Sequence, residues 1–154
     1  MVTGVQTCAL PISVLREAGT DTDRLAAAGA REVVWAIARA GSAALAWAAV
    51  SRILEATPLA VLEGSSVVEQ GLAHPELRLF VAHRSTPPAR WKPTSAALVA
   101  AADRVVIHTA GPAPSRVVVD ALDALGARGK RVTADAARPL GEWAPDLEHR
   151  LHAL

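Results

Sequence analysis

The 154-residue sequence contains no tyrosine, one phenylalanine and one cysteine. A single thiol, Cys8, cannot close an intrachain disulfide or assemble a multi-thiolate metal site. Long apolar runs are missing as well. The stretch most like a membrane span, Ala40–Ser51, is closed on both sides by Arg39 and Arg52. As a helix it covers about 18 Å, against roughly 30 Å of bilayer hydrocarbon, so it is expected to be a core helix. Residues 2–12 lack the basic start of a signal peptide, which makes a cytoplasmic location the expectation. Charge of one sign is not concentrated anywhere. The formal net charge is +1, and acids and bases are interleaved. No basic run or aromatic-studded basic patch is present, which argues against a nucleic-acid partner. A phosphate-cradling G-x-x-x-x-G-K-[ST] loop is also absent, since the only Gly-Lys pair, Gly129-Lys130, is followed by Arg131.

What is present describes a soluble globular chain. Hydrophobic residues make up 51% and charged residues 20%, outside the range of disordered sequences. Arg greatly outnumbers Lys, as GC-rich coding produces, and this is not taken as an RNA-binding signal. From Val14 onward the chain is rich in Ala, Arg and Val. Residues 1–13 differ: they are uncharged and hold the only Cys and the only Met. The string VTGVQTCALPI within them resembles the translation of a common sequencing-adaptor oligonucleotide. On that resemblance 1–13 is a non-native segment, and 14–154 is the C-terminal fragment of a longer protein, forming a single α/β nucleotide-binding-type domain.

Hydrophobic periodicity places the elements. Thr20-Asp21-Thr22-Asp23 predicts a capped helix through about Ala28, closed by Gly29. Glu32–Ala38 (EVVWAIA) is a nearly unbroken apolar run, expected to be a strand buried on both faces. Gly41-Ser42 opens a helix to about Ala56, with Ala43, Trp47, Val50 and Leu54 in one stripe. After Pro58, Leu59–Leu62 is expected to form a short buried strand ending in Glu63-Gly64. Strands follow at Leu77–His83, Arg104–His108 and Lys130–Ala134. Helices lie between them at Thr94–Ala102 and Ser115–Leu125, and Pro145 starts a terminal helix with Leu147, Leu151 and Leu154 in a stripe. Alternation of strands with helices predicts an α/β fold with a mainly parallel sheet and helices on both faces, a three-layer arrangement.

In such folds ligands bind beyond the carboxyl ends of the strands. Glu63 is expected to stand at one such end. There a carboxylate can hold Mg²⁺, Gly64 allows close backbone approach, and Ser65 and Ser66 offer hydroxyls. A structural reading is equally open, with Glu63 paired to an Arg and Gly64 serving the turn. Lys92-Pro93-Thr94-Ser95 can meet a base or phosphate, though helix capping explains it as well. His108 follows a strand and can face the cleft or simply be hydrogen-bonded. His149 and His152 share a helical spacing, with no third ligand in sight. Trp35 and Trp47 fit core positions, whereas Trp91 and Trp143 lie beside loops.

An apolar strand ending in Glu-Gly is similar to the second metal-site motif of a P-loop NTPase subclass. That subclass includes dethiobiotin synthetases, cobyrinate amidases and the molybdopterin-guanine dinucleotide biosynthesis protein B family. DTDRLAAAGA, Asp21–Ala30, followed directly by a hydrophobic strand, resembles the Asp-Thr-x-Arg…Ala-Gly-Ala segment of the last family. The likeness spans roughly Thr20 to His83. It implies a P-loop NTPase-like fold, truncated at its N-terminus, that binds GTP with Mg²⁺ and supports nucleotide attachment to molybdopterin. Glu63 would be the Mg²⁺-linked carboxylate, with Asp21 and Arg24 near the nucleotide or its switch region, while Gly64, Ser65 and Lys92 are candidate nucleotide contacts by their position. Expected partners are the nucleotide, enzymes carrying the molybdenum cofactor, and a second copy of the chain in a homodimer. Without the phosphate loop, GTP or ATP hydrolysis by these residues is expected to be poor, and the fragment is expected to be marginally stable or self-associating unless residues 2–12 pair with an exposed strand. An ATP-dependent ligase resembling dethiobiotin synthetase, or a non-enzymatic α/β module for a ligand or partner, are the alternatives.

Overall fold

The computed structural model describes residues 8–11, 18–38, 41–109, 111, 113–135, 138, 142 and 144–152. The chain divides into two compact units, Met1–Ala73 and His74–Leu154.

In the first unit, β1 (Cys8–Pro11) precedes α1 (Asp21–Ala27), β2 (Val34–Ile37), α2 (Ala43–Leu54) and a single helical turn, α3 (Ser66–Glu69). The start of α1 is chemically specified. Thr20 takes the N-cap with its hydroxyl accepting from the Asp23 amide at 3.3 Å, and Asp21 and Asp23 occupy the first turn. Its end is set by Gly29, whose φ of +99° a side chain would strain. Thr20→Ala is expected to cost about 1 kcal/mol, read as roughly fivefold faster hydrogen exchange at the Asp23 and Arg24 amides. An unchanged exchange rate would remove the capping role.

Two strand expectations in this unit are corrected. EVVWAIA does form β2, but its partner is β1, antiparallel, with Cys8 opposite Ile37 and Pro11 opposite Val34. A two-stranded ribbon leaves much of its side-chain surface uncovered, and Ala36 and Ile37 are exposed rather than buried on both faces. Leu59–Leu62 forms no strand; Val61 is 80% exposed. A strand's backbone groups bond only to a neighbouring chain. Among the described residues 59–62 joins neither of the two sheets. The α2 stripe of Ala43, Trp47, Val50 and Leu54 is half-buried, as periodicity predicts, with Ala46 fully buried beside it.

The second unit is a consecutive β-α-β-α-β arrangement followed by a helix. It comprises β3 (Leu79–His83), a 3₁₀ turn at Pro88–Arg90, α4 (Ser95–Ala101), β4 (Arg104–Thr109), α5 (Arg116–Ala124), β5 (Arg131–Asp135) and α6 (Pro145–His152). The three strands form a parallel sheet in the order β3-β4-β5, so β4 is central. The α/β class expected from the alternation is therefore present. Its core sits where β4 meets α4 and α5, around Val99, Val105, Ile107, Val118 and Leu122. Val118, Leu122 and the half-buried Leu125 are the apolar stripe of α5, while Val117 on the same helix is 62% exposed. Trp91 also belongs here. It meets Phe80 edge-on at 6.4 Å, and its indole N–H donates to the Thr86 carbonyl.

Polar contacts hold the ends of this unit in register. Asp103 accepts from the Arg78 amide at 2.8 Å and returns its own amide to the Arg78 carbonyl, joining the starts of β3 and β4. Asp123 of α5 pairs with Arg131 of β5 at 3.0 Å, both largely shielded from water. Arg104 of β4 pairs with Asp146 of α6. No helix among the described residues is long and apolar enough to cross a membrane. Leu147 and Leu151 lie outside the described side chains, and Leu154, like Trp143, outside the described residues.

Candidate functional site

Several polar side chains of the second unit stand at the carboxyl edge of the parallel sheet. β3 ends at His83, β4 at His108 and Thr109, and β5 at Asp135. Two backbone bonds extend the order past the strands. The Arg84 amide donates to the His108 carbonyl, and the Ser115 amide, at the start of α5, donates to the Arg84 carbonyl. Beyond β4 and β5 opens a cleft of about 380 Å³ lined by Thr109, Gly111, Thr133, Asp135, Arg138 and Glu142. Thr109 is buried, its hydroxyl donating to the Ala134 carbonyl at 3.2 Å, which ties the two strands at the cleft floor. Arg138 and Glu142 face each other across 3.9 Å at the exposed rim. Hydroxyls with charges of both signs suit a small polar ligand better than an apolar one.

His108 is half-buried and stands in register with His83, their rings 6.1 Å apart. Ser85 Oγ lies 3.1 Å from His83 Nδ1. Both belong to one exposed turn, and among the described residues no carboxylate bonds to the imidazole to complete a nucleophilic triad. His108, the histidine expected to face the cleft, is not among its lining residues, because it alternates with Thr109 along β4 and projects from the opposite face of the sheet. The signal for Asp135 was present, because a parallel strand placed at 130–134 puts position 135 at a carboxyl end.

The other expected site residues divide between the two units. Asp21 and Arg24 come together as a 3.1 Å ion pair on the exposed face of α1. They hold each other in the manner of an i,i+3 helical pair. Glu63, Gly64 and Ser65 lie in the irregular segment leading into α3. Glu63 is exposed and has no ion-pair or hydrogen-bond partner among the described residues. Gly64 has φ +115°, and a Cβ built there meets nothing within 4 Å, so its role is conformational and not one of close packing. Ser65 Oγ is buried without a hydrogen-bond partner.

Lys92 belongs to the second unit. It is exposed at the rim of an apolar cleft of about 350 Å³, with Pro88, Trp91, Ala121 and Leu125 among its lining residues. Thr94 occupies the N-cap of α4 without a side-chain capping bond, and Ser95 is buried. Lys130, the lysine of the only Gly-Lys pair, is committed elsewhere. Its ammonium donates to the carbonyls of Val99, Ala100 and Ala102 at 2.7, 3.0 and 2.8 Å, closing the C-terminal end of α4. Among the described residues no group of three or more His, Cys, Asp or Glu side chains could hold a metal ion. Trp47 is half-buried and His149 exposed; the side chains of Trp35 and His152 lie outside the described ones. Comparison with protein-family models, with curated proteins and with solved structures finds no match.

Proposed function

We propose that the chain is part of a nucleotide-binding protein similar to the molybdopterin-guanine dinucleotide biosynthesis protein B family, taking GTP with Mg²⁺ in support of molybdenum cofactor assembly. The observation that carries the proposal is the local geometry at Glu63. A solvent-facing carboxylate with no partner among the described residues precedes a glycine at positive φ and Ser65, whose buried hydroxyl lacks a hydrogen bond there. That donor set fits Mg²⁺, which usually takes one or two carboxylates and completes its shell with water and phosphate oxygens. The ion would neutralise phosphate charge. Glu63 would anchor it, while Gly64 leaves the backbone beside the carboxylate uncrowded. DTDRLAAAGA supports the same family, since it folds as a capped helix that leads directly into strand β2.

On this proposal the full protein has a three-layer, P-loop NTPase-like sheet, and a glycine-rich phosphate loop is supplied by chain outside these residues. The test is Mg-dependent GTP binding by protein carrying that loop. Glu63→Gln is expected to weaken binding about tenfold, or about 1.4 kcal/mol, while Asp21→Asn, which breaks only the exposed pair with Arg24, has a smaller effect. Equal affinity of the Glu63→Gln variant and the parent would leave Glu63 without a metal role.

The cleft beyond β4 and β5 favours a second reading, a ligand-binding module without catalysis. In that case a small polar ligand binds at Thr109 and Asp135, and Asp135→Asn abolishes binding while Glu63→Gln does not.

A further inference from the structure

We infer that His83 and His108 form a two-imidazole site for a borderline transition-metal ion such as Zn²⁺, separate from any magnesium-nucleotide site. The two residues are register partners on adjacent parallel strands. Partners in a parallel ladder project from the same face, because side chains alternate with a period of two along both strands. The sheet, not a flexible loop, therefore sets their spacing.

Ring separation decides whether one ion can reach both. A zinc–nitrogen bond of about 2.05 Å places the metal roughly 3.2 Å from an imidazole centroid, so two rings on one ion lie about 5.2 Å apart at a tetrahedral angle and about 6.4 Å apart at a straight one. The observed 6.1 Å falls inside that span, with the rings tilted by 46° and not stacked. Closing toward the tetrahedral value takes less than an ångström. His83 is exposed on the edge strand, so its rotamer can supply that movement.

The surroundings suit an imidazole ligand. Metal-bound histidines commonly donate their second ring N–H to an oxygen, which fixes the tautomer. Ser85 Oγ, 3.1 Å from His83 Nδ1, is such an acceptor and leaves Nε2 for the ion. The Ser85 amide, 3.4 Å from the same nitrogen, makes only a long contact that this tautomer gives up. Two neutral nitrogens select Zn²⁺, Cu²⁺ or Ni²⁺ over Mg²⁺, which prefers oxygen. With two protein ligands on a four-coordinate ion, two positions stay open to water or to a small ligand held at the carboxyl edge.

Zinc chloride titrated calorimetrically into the full chain tests the site. One ion per chain is expected, with affinity at least tenfold weaker in both His83→Gln and His108→Gln, unchanged in His149→Gln, and indifferent to excess Mg²⁺. His108 is half-buried, so the exposed His83 supplies the decisive variant, its fold checked by circular dichroism. Absence of binding at millimolar zinc, full affinity in His83→Gln, or displacement of zinc by magnesium would each overturn the assignment.

Discussion

Leu122→Ala lowers the stability of the second unit by about 2–5 kcal/mol. Leu122 is 0% exposed and packs in the same cluster as Val99, Val105, Ile107 and Val118, between α5 and the central strand. Removing its isobutyl group loses the transfer free energy of the buried methyls. It also leaves a cavity that β4, fixed by strands on both sides, cannot collapse to fill. For a unit running from His74 to Leu154, the general range of about 0.05–0.15 kcal/mol per residue corresponds to roughly 4–12 kcal/mol in total. The substitution therefore removes a large share of what holds the unit folded. Urea denaturation followed by hydrogen exchange at the Val105 and Ile107 amides measures the loss. Val117→Ala, on the exposed face of the same helix, is the internal control and stays within about 0.5 kcal/mol of the parent. Equal effects from the two substitutions would mean that α5 does not present the Val118–Leu122 stripe to the sheet.

Lys130→Met is expected to destabilise the same unit by about 2–3 kcal/mol. Three carbonyls at the C-terminal end of α4 accept from one ammonium, at 2.7, 3.0 and 2.8 Å. Hydrogen bonds to a charged group contribute about 1.5–3 kcal/mol, and a cation at a helix C-terminus adds about 0.3–1 kcal/mol. The total is less than the sum of separate bonds, because water can reach the Ala100 carbonyl once the ammonium is gone. Lys130→Arg keeps the charge, but its planar fork cannot aim donors at three converging carbonyls, so its stability should fall between the parent and Lys130→Met. Thermal unfolding ranks the three proteins. A Lys130→Met protein as stable as its parent would show that the ammonium is not needed to close α4. The order also bears on function, since a lysine spent on helix closure is not available to a phosphate.

The elements that the sequence announced are those whose bonding is local or whose pattern is extreme. The Thr20 cap, the Gly29 stop and the α5 stripe are written in residues three or four apart, and all three form as expected. RVVIH forms strand β4 as its apolar run predicts, but its central place in the sheet was not legible in the sequence. Leu59–Leu62 carried a similar pattern on a shorter run, yet it forms no ladder. The candidate site was legible to the same degree. Glu63 and Gly64 stood out by type, and the structure adds that the carboxylate is solvent-facing and has no partner among the described residues. Thr109, Thr133 and Asp135 did not stand out, because nothing in a threonine or aspartate marks it as lining a cleft until neighbouring strands are laid side by side.

By itself, the sequence located α1, α2, α4 and α5 to within a few residues and the apolar stripes of α2 and α5, because a helix satisfies its backbone within one short segment. No sign of the turn at Ser66–Glu69 was legible in it. It also excluded disulfides and an internal phosphate loop, since both need residues that are missing. Tertiary structure alone decided that β1 pairs with β2, that Lys130 closes α4, and that His83 stands opposite His108. Each of these joins groups more than 20 residues apart in the chain. A strand's hydrogen bonds and the Lys130 ammonium's acceptors are chosen by what folding brings alongside, which no local pattern encodes.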